Sequence, residues 1–129
     1  MKFKVYNTQT VIRGGRETKP FISFSIKTGL ISINKTAIIL LGIKKGDKIQ
    51  FLQDPDDLTN WFVQIVKENG FITRHNSSGD MLELSCKKIA NEIHETVGKP
   101  DKIRIRVPLA PSTNIDGLEL FPLITLAAK

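Results

Sequence analysis

Gly29-Leu30-Ile31-Ser32-Ile33-Asn34, followed by Leu40-Leu41-Gly42-Ile43-Lys44-Lys45-Gly46-Asp47-Lys48-Ile49, is the stretch on which the fold turns. Leu30 to Ile33 alternates around Ser32 and reads as a strand leaving a turn at Gly29. Asn34 then stands where a helix needs an N-cap, since its side-chain oxygen accepts the free amides of a first turn. Residues 35–41 make a short helix, and Gly42 ends it at the position where a left-handed residue is wanted. Lys44-Lys45-Gly46-Asp47 is a turn into a further strand at 48–52.

Upstream, Phe21-Ile22-Ser23-Phe24-Ser25-Ile26 is a strand of β-formers. Lys27-Thr28-Gly29 closes it into a hairpin with the strand that follows. Downstream, Asp54-Pro55-Asp56-Asp57 is an acidic turn, and Trp61-Phe62-Val63-Gln64-Ile65-Val66 is another strand. The same order then recurs. Phe21-Ile22-Ser23 through Gly29 aligns without a gap on Phe71-Ile72-Thr73 through Gly79. Ile31-Ser32-Ile33-Asn34 meets Leu82-Glu83-Leu84-Ser85, Asp47-Lys48-Ile49 meets Asp101-Lys102-Ile103, and Thr59-Asn60 meets Thr113-Asn114. Offsets drift only from 50 to 54 over four matches in order, which reads as an internal duplication.

In the second copy Ser85 is the expected N-cap, equivalent to Asn34. Ile89, Ile93 and Val97 recur every four residues and predict one buried helical stripe; Gly98 and Pro100 stop the helix. Lys102 to Val107 alternates, with Ile103, Ile105 and Val107 inward and Lys102, Arg104 and Arg106 outward. Residues 118–126 predict a last strand, with Pro122 marking an edge or bulge. Leu41 and Ile93 are the expected core residues of the two helices.

The chain of 129 residues suits a single domain. It divides into a basic strand and loop at 1–19, a first repeat at 20–68 and a second at 70–126. Its 40% hydrophobic and 25% charged residues are those of a folded protein. No apolar run approaches the ~20 residues of a membrane span. Residues 1–6 carry no hydrophobic signal core, and the lone Cys86 has no intramolecular partner, so a cytoplasmic setting is expected. The net charge of +6 is uneven: residues 1–28 hold Lys2, Lys4, Arg13, Arg16, Lys19 and Lys27 against Glu17 alone. Such a segment favours phosphate-rich partners, although a basic surface also serves solubility.

The hairpin, the short helix ending in Leu-Gly-Ile, the Gly-Asp turn and the closing strand resemble the AbrB-type swapped-hairpin domain of transition-state regulators and MazE antitoxins. The match covers residues 21–52 and extends weakly through the second copy to Val107. In that family two chains each donate a hairpin to one shared barrel that binds DNA. Two copies in one chain imply a single barrel-like, mostly β domain with two short helices, a pseudo-dimer in which each unit covers the other's apolar face. The chain departs from the family in two respects. Ile33-Asn34 stands where the family has Ile-Pro, and the family's DNA-contacting arginines fall on Ser23, Leu30, Ile38 and Ile39.

If DNA is bound, other groups must hold it. The candidates are the Arg13/Arg16 loop, Lys27 at the hairpin tip, Lys35, Arg74 and the Arg104/Arg106 strand face. The expected function is a non-enzymatic, regulatory DNA-binding protein without a cofactor. The competing reading is a protein-interaction or structural module that keeps the barrel and has lost the DNA surface. Ile38 and Ile39 are about 100° apart on a helix, so one of them is available for a partner or for self-association. No convergent catalytic set is present. His75 and His94 lack ligand-type neighbours at metal spacing, and His94-Glu95 reads as a solvated helix face. Cys86 lies near a helix start but reads as a small buried hydrophobe. Asp54, Asp56 and Asp57 read as a turn rather than a metal site. Trp61-Phe62 offers a stacking face for single strands, but adjacent aromatics in a strand usually place one ring in the core.

Overall fold

The computed structural model describes residues 19–99 and 101–129. The chain runs β1 (Phe21–Ser25), β2 (Leu30–Ile33), α1 (Lys35–Leu41), β3 (Lys48–Gln53), β4 (Trp61–Val66), β5 (Phe71–Ile72), β6 (Arg74–His75), β7 (Leu82–Ser85), α2 (Lys87–Val97), β8 (Arg104–Pro108), β9 (Thr113–Ile115) and β10 (Leu118–Leu123). A 3-10 turn, Thr125–Ala127, closes it. The strands form two antiparallel five-stranded sheets, ordered β6-β7-β2-β1-β8 and β5-β3-β4-β10-β9. The mostly β chain with two helices is as expected. The strands form no closed barrel among the described residues: the ladders divide into two sheets. They meet where β5 and β6 follow one another through Thr73, and at an isolated Leu109–Leu123 bridge.

Alternation builds the core. Ile22, Phe24, Ile31, Ile33, Leu82, Leu84, Ile105 and Val107 fill the inner face of the first sheet. Ile49, Trp61, Val63, Phe121 and Leu123 supply the second. Phe24 and Phe51 join the sheets edge to face, with centroids 6.0 Å apart. β2 and β7 pair directly, Ile31 opposite Leu84 and Ile33 opposite Leu82, so the two hairpins share one ladder.

The capping expectation holds for α1. Asn34 Oδ1 accepts the Ala37 amide at 2.9 Å, and Gly42 ends the helix at φ 70°. Asn34 also ties the preceding chain: Oδ1 accepts the Phe21 amide at 3.1 Å, and Nδ2 donates to the Lys19 carbonyl at 2.8 Å. The Gly46-Asp47 turn is clamped from the second half. Gly46 N donates to the Thr73 carbonyl, Thr73 N and Oγ1 donate to the Asp47 carbonyl, and Asp47 Oδ2 accepts the Lys44 amide.

The second half differs from expectation. Ser85 is not an N-cap: β7 runs one residue further, pairing Ser85 with Leu30, and Cys86 takes the capping position without a side-chain bond. The buried side of α2 is Ala90, Ile93 and His94, with Ile89 and Val97 only half-buried. His94 therefore faces inward. Ala90 lets the helix approach β1 closely enough for His94 Nε2 to donate to the Phe24 carbonyl at 3.0 Å. Its Nδ1 is buried without a partner. Ile103 is 58% exposed because β8 begins only at Arg104, and Ile72 is 61% exposed although its aligned counterpart Ile22 is fully buried.

The expected last strand is shorter and is preceded by a hairpin. Asp116-Gly117, both at positive φ, turn β9 into β10. Pro122 lies where β10 has run past the end of β9, and its carbonyl accepts the Ala110 amide instead. The outer side of β8 is closed by the chain terminus, where Arg106 and Lys129 exchange two backbone hydrogen bonds.

Truncating Leu41 or Ile93 to Ala removes a buried side chain and is expected to cost ~2–5 kcal/mol in urea denaturation. Ile103→Ala should stay within about 0.5 kcal/mol of the parent. Losses below about half a kilocalorie at both helical positions would contradict the core assignment.

Candidate nucleic-acid interface

The outer face of the first sheet gathers three of the seven basic candidates. On β8, Ile105 and Val107 point into the core, so Arg104 and Arg106 must point out. Strand pairing then lays a row across the sheet. Arg106 faces Ser23, Ser23 faces Ser32, Ser32 faces Glu83 and Glu83 faces Arg74. A second row sets Arg104 against Ser25, with Leu30 opposite Ser85 further along. Buried Ser23, half-buried Ser32 and Glu83 thus form the middle of the row, between long guanidinium side chains at its two edges. A shallow depression of about 420 Å3 lies over the row, lined among others by Ser23, Ser32, Glu83, Arg104 and Arg106.

The two edges are electrostatically different. Arg74 is engaged at home: its Nε lies 3.6 Å from Glu83 Oε1, and its Nη2 donates to Ser85 Oγ at 3.0 Å. Arg106 lies over the Phe21 ring at 5.1 Å, a cation–π contact that leaves its N–H edge available. Arg104 is exposed at the start of the same strand. The β8 edge is therefore the more available cationic side.

Lys27 is exposed at the β1–β2 tip, on the Arg104 side, since the adjoining Ile26 amide donates to Ile103 at 3.0 Å. The tip itself is held against α2. Gly29 has φ +75°, and a Cβ there would come within 2.8 Å of the Lys87 backbone. Lys35 is not part of this face; it stands on α1 beside Ile38 and Ile39. Arg13 and Arg16 lie outside the described residues. Of the family's contact positions, Ser23 and Leu30 do occupy this sheet face. Ile38 packs against the core, while Ile39 is 72% exposed.

The other groups have structural explanations. His75 is exposed at the edge strand β6, and Cys86 is half-buried. Trp61 is buried with Nε1 donating to Thr96 Oγ1 at 3.2 Å, which removes it as a stacking surface. Asp54 Oδ1 accepts the Asp56 amide, and Asp57 Oδ1 accepts both the amide and the hydroxyl of Thr59. Among the described residues no group of three or more His, Cys, Asp and Glu is placed to hold a metal ion, and no helix is long and apolar enough to cross a membrane. The sequence reading missed the Ser23–Ser32–Glu83 middle of the row. Period-2 alternation puts each of them on the face away from the core; the β1–β2 hairpin makes Ser23 and Ser32 neighbours, and only the β2–β7 pairing brings Glu83 beside them.

The Thr59 hydroxyl, and then its amide, hold the Asp57 carboxyl below the ordinary 3.8. A depressed folded-state value means that the turn's contribution is present at neutral pH and is lost as pH falls through that value. Thr59→Val removes the larger cause, so Asp57 should titrate closer to 3.8 in an NMR carboxylate titration.

No family model, curated protein or solved structure matches this chain, so the functional argument rests on its own residues.

Proposed function

We propose that this chain is a non-enzymatic DNA-binding protein that resembles an AbrB-type domain duplicated within one chain, and that it holds duplex phosphates on the outer face of the β6-β7-β2-β1-β8 sheet. The observation that carries this reading is the row Arg106–Ser23–Ser32–Glu83–Arg74. Four strand spacings separate its terminal arginines, about 19 Å, with two serines and Glu83, itself paired with Arg74, between them. A polyanion can approach the sheet there while the exposed guanidinium groups of Arg104 and Arg106 meet its phosphates. The net charge of +6 favours the encounter.

The pairing of β2 with β7 supports the pseudo-dimer part of the proposal. Ile31 pairs with Leu84 and Ile33 with Leu82 about a central Ser32–Glu83 pair, the reciprocal exchange expected of two equivalent hairpins. The second hairpin is not a replica, because Arg74 rather than Thr73 faces Glu83. That one-residue slip turns Thr73 inward to the Gly46-Asp47 turn and leaves Ile72 outside.

A protein-interaction module is the second reading, favoured by the 72% exposure of Ile39 at a position where the resemblance would place a DNA-contacting arginine. Lysine at Ile38 should destabilise the fold, whereas lysine at Ile39 should leave it folded and abolish any association made there.

DNA binding is tested by fluorescence anisotropy on duplex DNA over a range of salt concentrations. Phosphate contacts give a linear fall of log affinity with log salt, of slope about −0.9 per contact. Arg104→Ala and Arg106→Ala should each reduce that slope by about one. Arg13→Ala with Arg16→Ala flattens it further if that segment takes part. No binding at low salt removes the proposal.

A further inference from the structure

The arginine row leaves two other surfaces unused, at opposite ends of β3. At the start of this strand, α1 and the turn at 76–80 enclose a groove of about 650 Å3. Ile38, Ile39 and Ile43 line it, and Lys35, Lys44 and Lys45 stand around it. None of these three ammonium groups is in a salt bridge among the described residues. Asp80 is the acidic group on this rim; it accepts from Ser78 Oγ at 2.6 Å and Asn76 Nδ2 at 3.1 Å, and the charge of Lys35 also favours its ionised form, so Lys44 and Lys45 carry most of the rim's free positive charge. The groove is thus an apolar slot inside a basic rim. It fits an apolar side chain flanked by carboxylates.

The opposite end of β3 presents that chemistry. β3 runs six residues to the acidic turn, about 20 Å away. There Leu58 is 60% exposed and borders a depression of about 380 Å3 that Glu92 and Glu95 of α2 also line. Asp56 and Asp57 precede it in the turn, and no lysine or arginine lines that depression. One end offers a leucine ringed by carboxylates, the other an isoleucine groove ringed by ammonium groups.

We infer that this chain docks head to tail on a second copy of itself, with the acidic Leu58 end of one copy seated in the Ile39 groove of the next. The two surfaces differ, so the contact is heterologous and adds copies in rings or open chains rather than closing a two-fold dimer. A contact centred on one leucine in one groove belongs among weak interfaces. Its charges are exposed, so salt weakens it. The inference gives the interaction reading a named occupant and uses neither the arginine row nor DNA.

Analytical ultracentrifugation of the full chain tests it. The mean mass should rise with concentration into the high-micromolar range and fall back as salt is added. Ile39→Glu and Leu58→Lys change exposed side chains, and circular dichroism checks that each variant is folded. Each variant alone should be monomeric. Mixed together they should form a 1:1 dimer that grows no further, because one retains the acidic end and the other the groove. Lys44→Glu with Lys45→Glu should abolish association, and adding a chain carrying Asp56→Lys and Asp57→Lys should restore it. A chain that stays monomeric at every concentration overturns self-docking, and the interaction reading then requires a foreign acidic partner. Association that persists in both single variants, or a mixture that remains monomeric, overturns it as well. DNA affinity measured on the same Ile39 and Leu58 variants should be unchanged, which separates this inference from the sheet-face proposal.

Discussion

The ladder between β2 and β7 is the constraint on which the rest of the molecule depends. It brings together two hairpins that lie about fifty residues apart, and Ile31, Ile33, Leu82 and Leu84 across it are all buried. Each half alone is a hairpin and a helix with an uncovered apolar face, too small to bury a substantial core. Joined, they make a five-stranded sheet whose inner face carries both helices, and whose outer face becomes broad enough to hold a row of five residues. Both the core and the candidate interface are therefore products of one strand pairing.

Three buried polar side chains show how tightly that arrangement is specified. Asn34 makes three hydrogen bonds, capping α1 and fixing the chain that enters β1. A proline at this position, as in the family the first repeat resembles, would supply none of them. Thr73 ties the Gly46-Asp47 turn of the first half to the strand that begins the second. Both are fully engaged, as buried polar groups generally are. His94 is the exception, with one ring nitrogen bonded to Phe24 and the other without a partner. A carbonyl oxygen only accepts, so Nε2 carries the proton of that bond.

Charge is sorted by the fold in a way composition does not convey. The arginines of β8 and β6 face outward from one sheet, the lysines of α1 and its following turn surround an apolar groove, and the carboxylates of the 54–57 turn and α2 collect at the other end of β3. Among the described residues, exposed positive charge thus gathers on two surfaces of different character. One is a strand face edged by arginines; the other is a concave groove lined by isoleucines.

Local physics made much of this legible in advance. The alternation of 21–26 and 30–33, the Asn34 cap, the positive-φ glycines at 29 and 42 and the outward arginines of β8 follow from sterics and hydrogen bonding among near neighbours. Asp116-Gly117 carried the same kind of signal for the β9–β10 hairpin. What tertiary structure alone decided involves residues far apart in the chain. The inward turn of His94 depends on how closely Ala90 lets α2 approach β1, and the failure of Ser85 as a cap depends on its pairing with Leu30. The division into two sheets depends on Thr73 leaving the ladder for the Gly46-Asp47 turn. Likewise Arg106 and Arg74 share a face only because β2 and β7 pair. The sequence by itself determined which residues extend, turn and cap, because those choices are settled within a few bonds. Which of them meet was left to the packing of two halves, since burying both apolar faces at once selects the register that local preference leaves open.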